Sequence, residues 1–513
     1  MKLRRLLLAY ALTNVVLYSM LLPLWEGFDE PFHFGYVQGL ANGDGFPDPR
    51  TSRLSKEVGS SLLLTPVSLA VQQNLPTLVS YPEFFSWPEY RRQQAHEKLA
   101  SIDPNLRWNP SDFINYEGLQ APLAYAVLAL PERITARFPL PMRVLMLRII
   151  AGTLGAVLLF LAAIRLVSQL EIISPHGEVA LFCAFSSQMI WATMAHVAND
   201  WLAVPLTVWL LVTTIDYAKC PSVRRAVSLS ILLSLGLLTK AYFIAFIPAI
   251  AVCAFRRRWL DLGVSIILLL GLAGPWYVRN LERYNTISGM QELRDGVNPS
   301  AAIPYLRIER LPAGIEAYAR SALWTGNNTF RTFSIWTLRG LLIAWLFALI
   351  LWAVTRHRMA EWIVVLHSGL FILALAYNAA TNYVGSHGKS ASPGAWYGQV
   401  LLVPILALGF LGTSRSRKAG RVIATALLLI FGYILATTYW VKLMPLYGGF
   451  EGRTSLSSMA MLYVHRLPML AAGLNELCLG RATYVFLMAS VVLVLTVAQQ
   501  VIFVGLLFFP KKS

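Results

Sequence analysis

Charge is what this chain has least of. Only 13% of its 513 residues are Asp, Glu, Lys or Arg, where a soluble domain carries about 25%. That is too little to coat the three or four soluble cores such a length would otherwise suggest. Cysteine is also scarce. Cys183, Cys220, Cys253 and Cys478 stand far apart, so no disulfide framework is implied. No internal repeat of the kind seen in many secondary transporters is present, and no low-complexity tract. Acidic residues, 26 against 43 basic ones, leave a formal charge of +17. In a soluble protein that balance would point to nucleic acid or another polyanion.

What the chain has in place of charge is apolar residues, at 56%. A spanning helix needs about 20 of them to cross roughly 30 Å of hydrocarbon. Such runs occupy about 5–24, 143–168, 178–198, 201–218, 226–240, 241–255, 259–278, 338–355, 360–381, 395–413, 421–440 and 483–509. The fold expected is therefore an all-α polytopic membrane protein with about 12 transmembrane helices, and no nucleic-acid partner. The first run lacks an Ala-x-Ala site and leads straight into Pro23, Trp25 and Glu26, so it reads as an uncleaved span.

Ala121–Leu130 is apolar but about ten residues long, and whether it crosses sets the topology. Each span reverses the side of the next loop, and basic clusters gather on the cytoplasmic side. The clusters are Lys2/Arg4/Arg5, Lys219/Arg224/Arg225, Arg256/Arg257/Arg258, Arg356/Arg358, Arg415/Arg417/Lys418/Arg421 and Lys511/Lys512. If Ala121–Leu130 does not cross, all six fall inside; if it does, five fall outside. It therefore reads as a short helix at the outer interface, with both termini cytoplasmic. The +17 then belongs mostly to topology. The expected external loops are 25–142, 286–337, 382–394 and 441–482. They are rich in Trp, Tyr, Pro and apolar residues, which implies order and function.

The densest polar constellation follows the first span, in Trp25-Glu26-Gly27-Phe28-Asp29-Glu30-Pro31-Phe32-His33-Phe34. Asp29 and Glu30 stand at the expected outer edge, where partial burial tunes a carboxylate toward general-base work. Adjacent side chains diverge, so at most one of the two is the base. Glu30 and His33, three apart on a helix, share a face.

Phe28-Asp29-Glu30 followed by His33-Phe34-Gly35 resembles the first-loop motif of the protein O-mannosyltransferase family, within the GT-C superfamily of membrane glycosyltransferases. Asn115 to Tyr125 resembles that superfamily's second loop element, in which a Pro-Pro-Leu sequence opens a juxtamembrane helix. Here the sequence reads Gln120-Ala121-Pro122, a departure from the more common His-Pro-Pro or Gln-Pro-Pro. Asn199-Asp200, Leu238-Thr239-Lys240 and Pro275 to Asn280 resemble further landmarks. A Gly-Arg-Tyr-like element has its counterpart at Gly398-Gln399-Val400, without the arginine. The resemblance divides the chain into a conserved module, 1–285, and a variable one, 286–513.

The resemblance implies transfer of a sugar from a polyprenyl-phosphate donor to a hydroxyl of a glycan, lipid or protein acceptor, outside a bacterial cytoplasmic membrane. It implies Asp29 as first choice of base and Glu30 as second, with Lys240 and Arg279 meeting the departing lipid phosphate. His33, Glu117, Gln120, Asp200 and Asn280 are the remaining substrate-site candidates. The resemblance assigns no cofactor, since some members of the superfamily use a divalent cation and others do not. A divalent cation is compatible with Asp29, Glu30, His33, His196 and His387 facing one cavity, although no His-x-x-x-His spacing marks a metal site. Two rival functions remain. A lipid-linked glycan polymerase or ligase would work through Arg453, Arg466 and Arg481. A transporter would bury charges in mid-span, where these runs have few.

Overall fold

The computed structural model describes residues 2–254, 258–287, 299–306, 312–314, 316, 323–329, 331–388, 395–450 and 456–509. Among them, seven helices are long and apolar enough to cross a membrane: Leu140–Gln169, Asp200–Lys219, Ile335–Ala353, Met359–Gly385, Tyr397–Arg415, Arg417–Tyr447 and Ala482–Phe508. An eighth is added if Trp259–Leu272 and Gly274–Tyr284, bent by 53°, count as one. Pro275 explains that bend, because its ring clashes with the carbonyl one turn back and it lacks an N–H. Other apolar runs are broken. The 178–198 run divides at Ser187 into His176–Ser186 and Gln188–Met194. The 241–255 run opens as a 3-10 turn, Ala241–Phe246, before Ile247–Ala254. The first helix, Lys2–Leu21, is 20 residues long but gives its first turn to Lys2, Arg4 and Arg5.

Members of the basic clusters meet at one end of the bundle. Arg4 pairs with Glu178 at 3.7 Å, and Lys219 donates to the Gln169 carbonyl at 3.1 Å. Arg358 pairs with Glu171, Arg258 donates to the Pro221 carbonyl at 2.8 Å, and Arg415 to that of Arg356 at 3.1 Å. Members of five of the six clusters thus meet around residues 169–178 and their neighbours; Arg256, Arg257, Lys511 and Lys512 lie outside the described residues. The opposite end is built from the segments around Leu21–Glu30, Asn115–Arg148, His196–Asp200 and Leu237–Lys240. Cys478 donates to the Leu21 carbonyl there, at 3.3 Å.

The helix containing most of Ala121–Leu130 is Leu123–Ile134, 12 residues. It is about 18 Å long, short of the roughly 30 Å needed to cross. Both its ends are tied to that same opposite end of the bundle: the Leu123 amide donates to the Leu238 carbonyl at 2.9 Å, and Glu132 pairs with Arg143.

The architecture is all-α as expected, with one local addition in the 25–142 segment. Besides short helices it carries a two-stranded antiparallel ribbon, Arg53–Ser55 with Pro110–Ile114, in which Arg53 faces Ile114 and Ser55 faces Pro110. Three-residue Arg-Leu-Ser has too little alternation to reveal a strand. A buried charge cluster fastens the segment down. Arg143 pairs with Glu57 and Glu132, Gln38 donates to Glu57 at 2.7 Å, and Arg107 lies 3.4 Å from Glu132.

Helix packing is close where Gly412 of Leu402–Arg415 meets Ile335–Ala353. A Cβ at Gly412 would lie 2.4 Å from the Trp352 amide nitrogen and 2.6 Å from the Ala348 carbonyl oxygen, both backbone atoms. Gly412→Ala must push the helices apart, and a loss of about 1–3 kcal/mol is expected, read as a lower melting temperature in detergent.

Candidate active site

The turn after the first helix is over-determined. Trp25 adopts φ 65° and Asp29 φ 51°. Asp tolerates the left-handed region, but a bulky Trp there stores strain of about 1–3 kcal/mol that its surroundings must hold. Trp25 is held by a 2.9 Å bond to the Ser61 hydroxyl and by the edge of Phe34. Gly27 is pressed onto His196, whose Cδ2 and Cβ would be 2.8 and 2.9 Å from any added Cβ.

Asp29 precedes the Glu30–Asn42 helix, which Pro31 starts. An Asp at this position ordinarily caps the helix with its side chain; here the side chain makes no cap bond. It receives instead the Tyr116 hydroxyl on Oδ1 at 2.5 Å. Asp29 is exposed, while Glu26, Glu30, Glu117 and Asp200 are each 7% exposed or less. It is therefore the acidic group of this cluster that solvent reaches. Surrounding protein still raises its pKa above the ordinary aspartate value, against the opposing influence of Tyr116 and Lys240.

Glu30 has a different environment. Arg148 grips both its oxygens, with Nε to Oε1 at 2.7 Å, and the Val197 amide donates to Oε1 at 3.0 Å. The same guanidinium donates to the Leu22 and Pro23 carbonyls at 2.6 and 2.8 Å. Burial works against the Glu30 charge, but Arg148 and Val197 outweigh it and keep the carboxyl below its ordinary range.

The second loop element leans on the first. Asn115 donates to the Phe32 carbonyl at 3.0 Å and accepts from the Glu117 amide at 3.2 Å. Tyr116 packs on the Phe32 ring at 4.4 Å. Glu117 Oε2 comes 3.4 Å from His33 Nδ1, which bonds the Tyr125 hydroxyl at 2.8 Å. Burial, helped by the Asp29 charge, raises Glu117 to about 8, so it carries a proton at neutral pH. Burial also holds His33 well below its ordinary value, hence neutral. The His33–Glu117 contact is thus between uncharged groups.

Tyr36 stacks on Tyr125 at 4.2 Å and donates to the Gln120 carbonyl at 3.3 Å. The Gln120 side chain accepts from Asn199 at 3.0 Å. Lys240 Nζ sits 2.7 and 2.8 Å from the two oxygens of Asp200, under the rings of Tyr397 at 4.8 Å and Tyr242 at 5.6 Å. Glu30, His33, Glu117, Gln120, Asp200 and Lys240 therefore line one network beside Asp29. Arg279 approaches from its flank. It donates to the Pro47 carbonyl at 3.2 Å, the carbonyl against which Gly118 is packed, and lies 4.7 Å over Trp276. Its Nη1 and both side-chain polar atoms of the neighbouring, 1% exposed Asn280 are buried without a hydrogen-bond partner.

Sequence reasoning missed Arg148, Tyr116, Tyr125 and Tyr397. A charged residue inside the apolar 143–168 run was the available signal for Arg148. Of the late arginines, Arg466 is exposed, Arg481 is half-buried at the start of Ala482–Phe508, and Arg453 lies outside the described residues. His387 is exposed. Among the described residues no three His, Cys, Asp or Glu side chains are grouped so as to hold a metal ion.

No family model and no curated protein matches the sequence. Among solved structures, the chain is similar to ArnT from Cupriavidus metallidurans, in a crystal structure with undecaprenyl phosphate bound. The likeness covers 80% of this chain and 71% of that one, at 13% identity and a TM-score of 0.35.

Proposed function

We propose that this chain is a membrane glycosyltransferase that moves a sugar from a polyprenyl-phosphate donor to an acceptor hydroxyl. The observation that carries the reading is the contrast among its carboxylates. Asp29 alone in the cluster is exposed, with a raised pKa suited to a base, while Glu30 is committed to Arg148. In this reading Asp29 takes the acceptor proton as the acceptor oxygen bonds the anomeric carbon. The bond from that carbon to the phosphate oxygen breaks, and polyprenyl phosphate leaves with the electron pair. The Lys240 charge is largely offset by Asp200, which favours Arg279, with its unpartnered Nη1, as the main phosphate ligand.

The basic end of the bundle is then cytoplasmic and the Asp29 end external, in a bacterial cytoplasmic membrane. The acceptor is a glycan, lipid or protein hydroxyl. Arg279→Met in proteoliposomes should lower kcat/KM for the lipid donor about 100-fold, the rate equivalent of about 3 kcal/mol of phosphate stabilisation, while Arg466→Met leaves it unchanged. Loss confined to Arg466 and Arg481 variants would favour a polymerase or ligase instead.

A further inference from the structure

A carboxylate that acts as a base has two oxygens, and only one can take the proton. In Asp29 one of them is already occupied: the Tyr116 hydroxyl is 2.5 Å from Oδ1. The tyrosine is braced against the same turn that carries the aspartate. Its ring rests on Phe32 at 4.4 Å, Asn115 just before it holds the Phe32 carbonyl, and the Phe32 amide donates to the Asp29 carbonyl at 3.0 Å. Base and tyrosine therefore move as one unit, although 87 positions separate them in the chain.

We infer that Tyr116 is a positioning residue: its hydroxyl fixes Oδ1 of Asp29 and leaves Oδ2 as the oxygen that receives the acceptor proton. This rests on the reading of Asp29 as the base. Burial and the Asp29 charge raise the Tyr116 hydroxyl above the ordinary tyrosine range, so it stays a donor and is not itself the base. The other charged or titratable groups around the pair do not replace it. Lys240 is held by both Asp200 oxygens, Glu30 is held by Arg148, and Glu117 and His33 face each other.

Tyr116→Phe removes the hydroxyl and keeps the ring on Phe32, so the brace survives. The reconstituted full-length variant should show kcat about tenfold lower at neutral pH, the rate equivalent of one hydrogen bond to a charged group, with KM for the lipid donor unchanged. The pH profile supplies the discriminating sign. A donor to the ionised carboxylate lowers the Asp29 pKa, so its loss raises that pKa and moves the acidic limb of kcat up by about one unit. The loss should therefore be larger on the acidic limb than at neutral pH.

An unchanged rate and limb would overturn the inference, as would a fall of equal size at every pH accompanied by a lower melting temperature. The base reading is tested separately by Asp29→Asn. If that variant is inactive while Tyr116→Phe behaves as wild type, the base stands and only this inference falls. If Asp29→Asn is fully active, both fall.

Discussion

Asp29→Asn should lose sugar transfer by about 10²–10⁴-fold, the usual contribution of a positioned general base, while inserting and melting as the wild type does. The amide matches the carboxylate in shape, and its oxygen still accepts the Tyr116 hydroxyl, so only proton acceptance is lost. Glu117→Gln provides the contrast. Glu117 carries a proton at neutral pH, so an uncharged replacement should stay within about tenfold of wild type. Equal losses in the two variants, measured by donor turnover in proteoliposomes, would mean that the base is shared rather than resident on Asp29.

Arg148→Met is expected to be the most destabilising single change near the site. It strands the Glu30 charge, 0% exposed, and frees the Leu22 and Pro23 carbonyls. Breaking one side of a buried pair costs about 3–5 kcal/mol, whereas replacing both members by apolar residues is often neutral. Arg148→Met should therefore melt far below wild type in detergent, and the double change Arg148→Met with Glu30→Met should recover part of the loss. A single variant as stable as the wild type would contradict a buried, charged Glu30.

Much of the architecture could be read from pattern alone. Scarce charge and recurrent apolar runs imply helices that cross a membrane, and the parity of the basic clusters keeps Ala121–Leu130 from spanning. The structure gathers members of five of those clusters at one end and fixes both ends of Leu123–Ile134 at the other. Helix breaks were less legible, because a run such as 178–198 is apolar on both sides of Ser187, and a serine within an apolar run is compatible with an unbroken helix.

At the site, residue types were legible and their roles were not. Asp29 and Glu30 are neighbours of near-identical chemistry. What separates them is Arg148, 118 positions away from Glu30, and Tyr116, 87 away from Asp29. Lys240 reads in sequence as a free cation at a helix end, yet folding gives it Asp200 as a bidentate partner. Such differences arise from long-range contacts that no local spacing encodes.

The proposed activity is decided by following both halves of the donor. Purified protein in proteoliposomes, given a polyprenyl-phosphate-linked labelled sugar and membrane-derived acceptors, should release polyprenyl phosphate in step with labelled product, and Asp29→Asn should do neither. Movement of intact donor across the vesicle membrane, with no glycosidic bond made and no polyprenyl phosphate released, would contradict a glycosyltransferase and indicate a transporter.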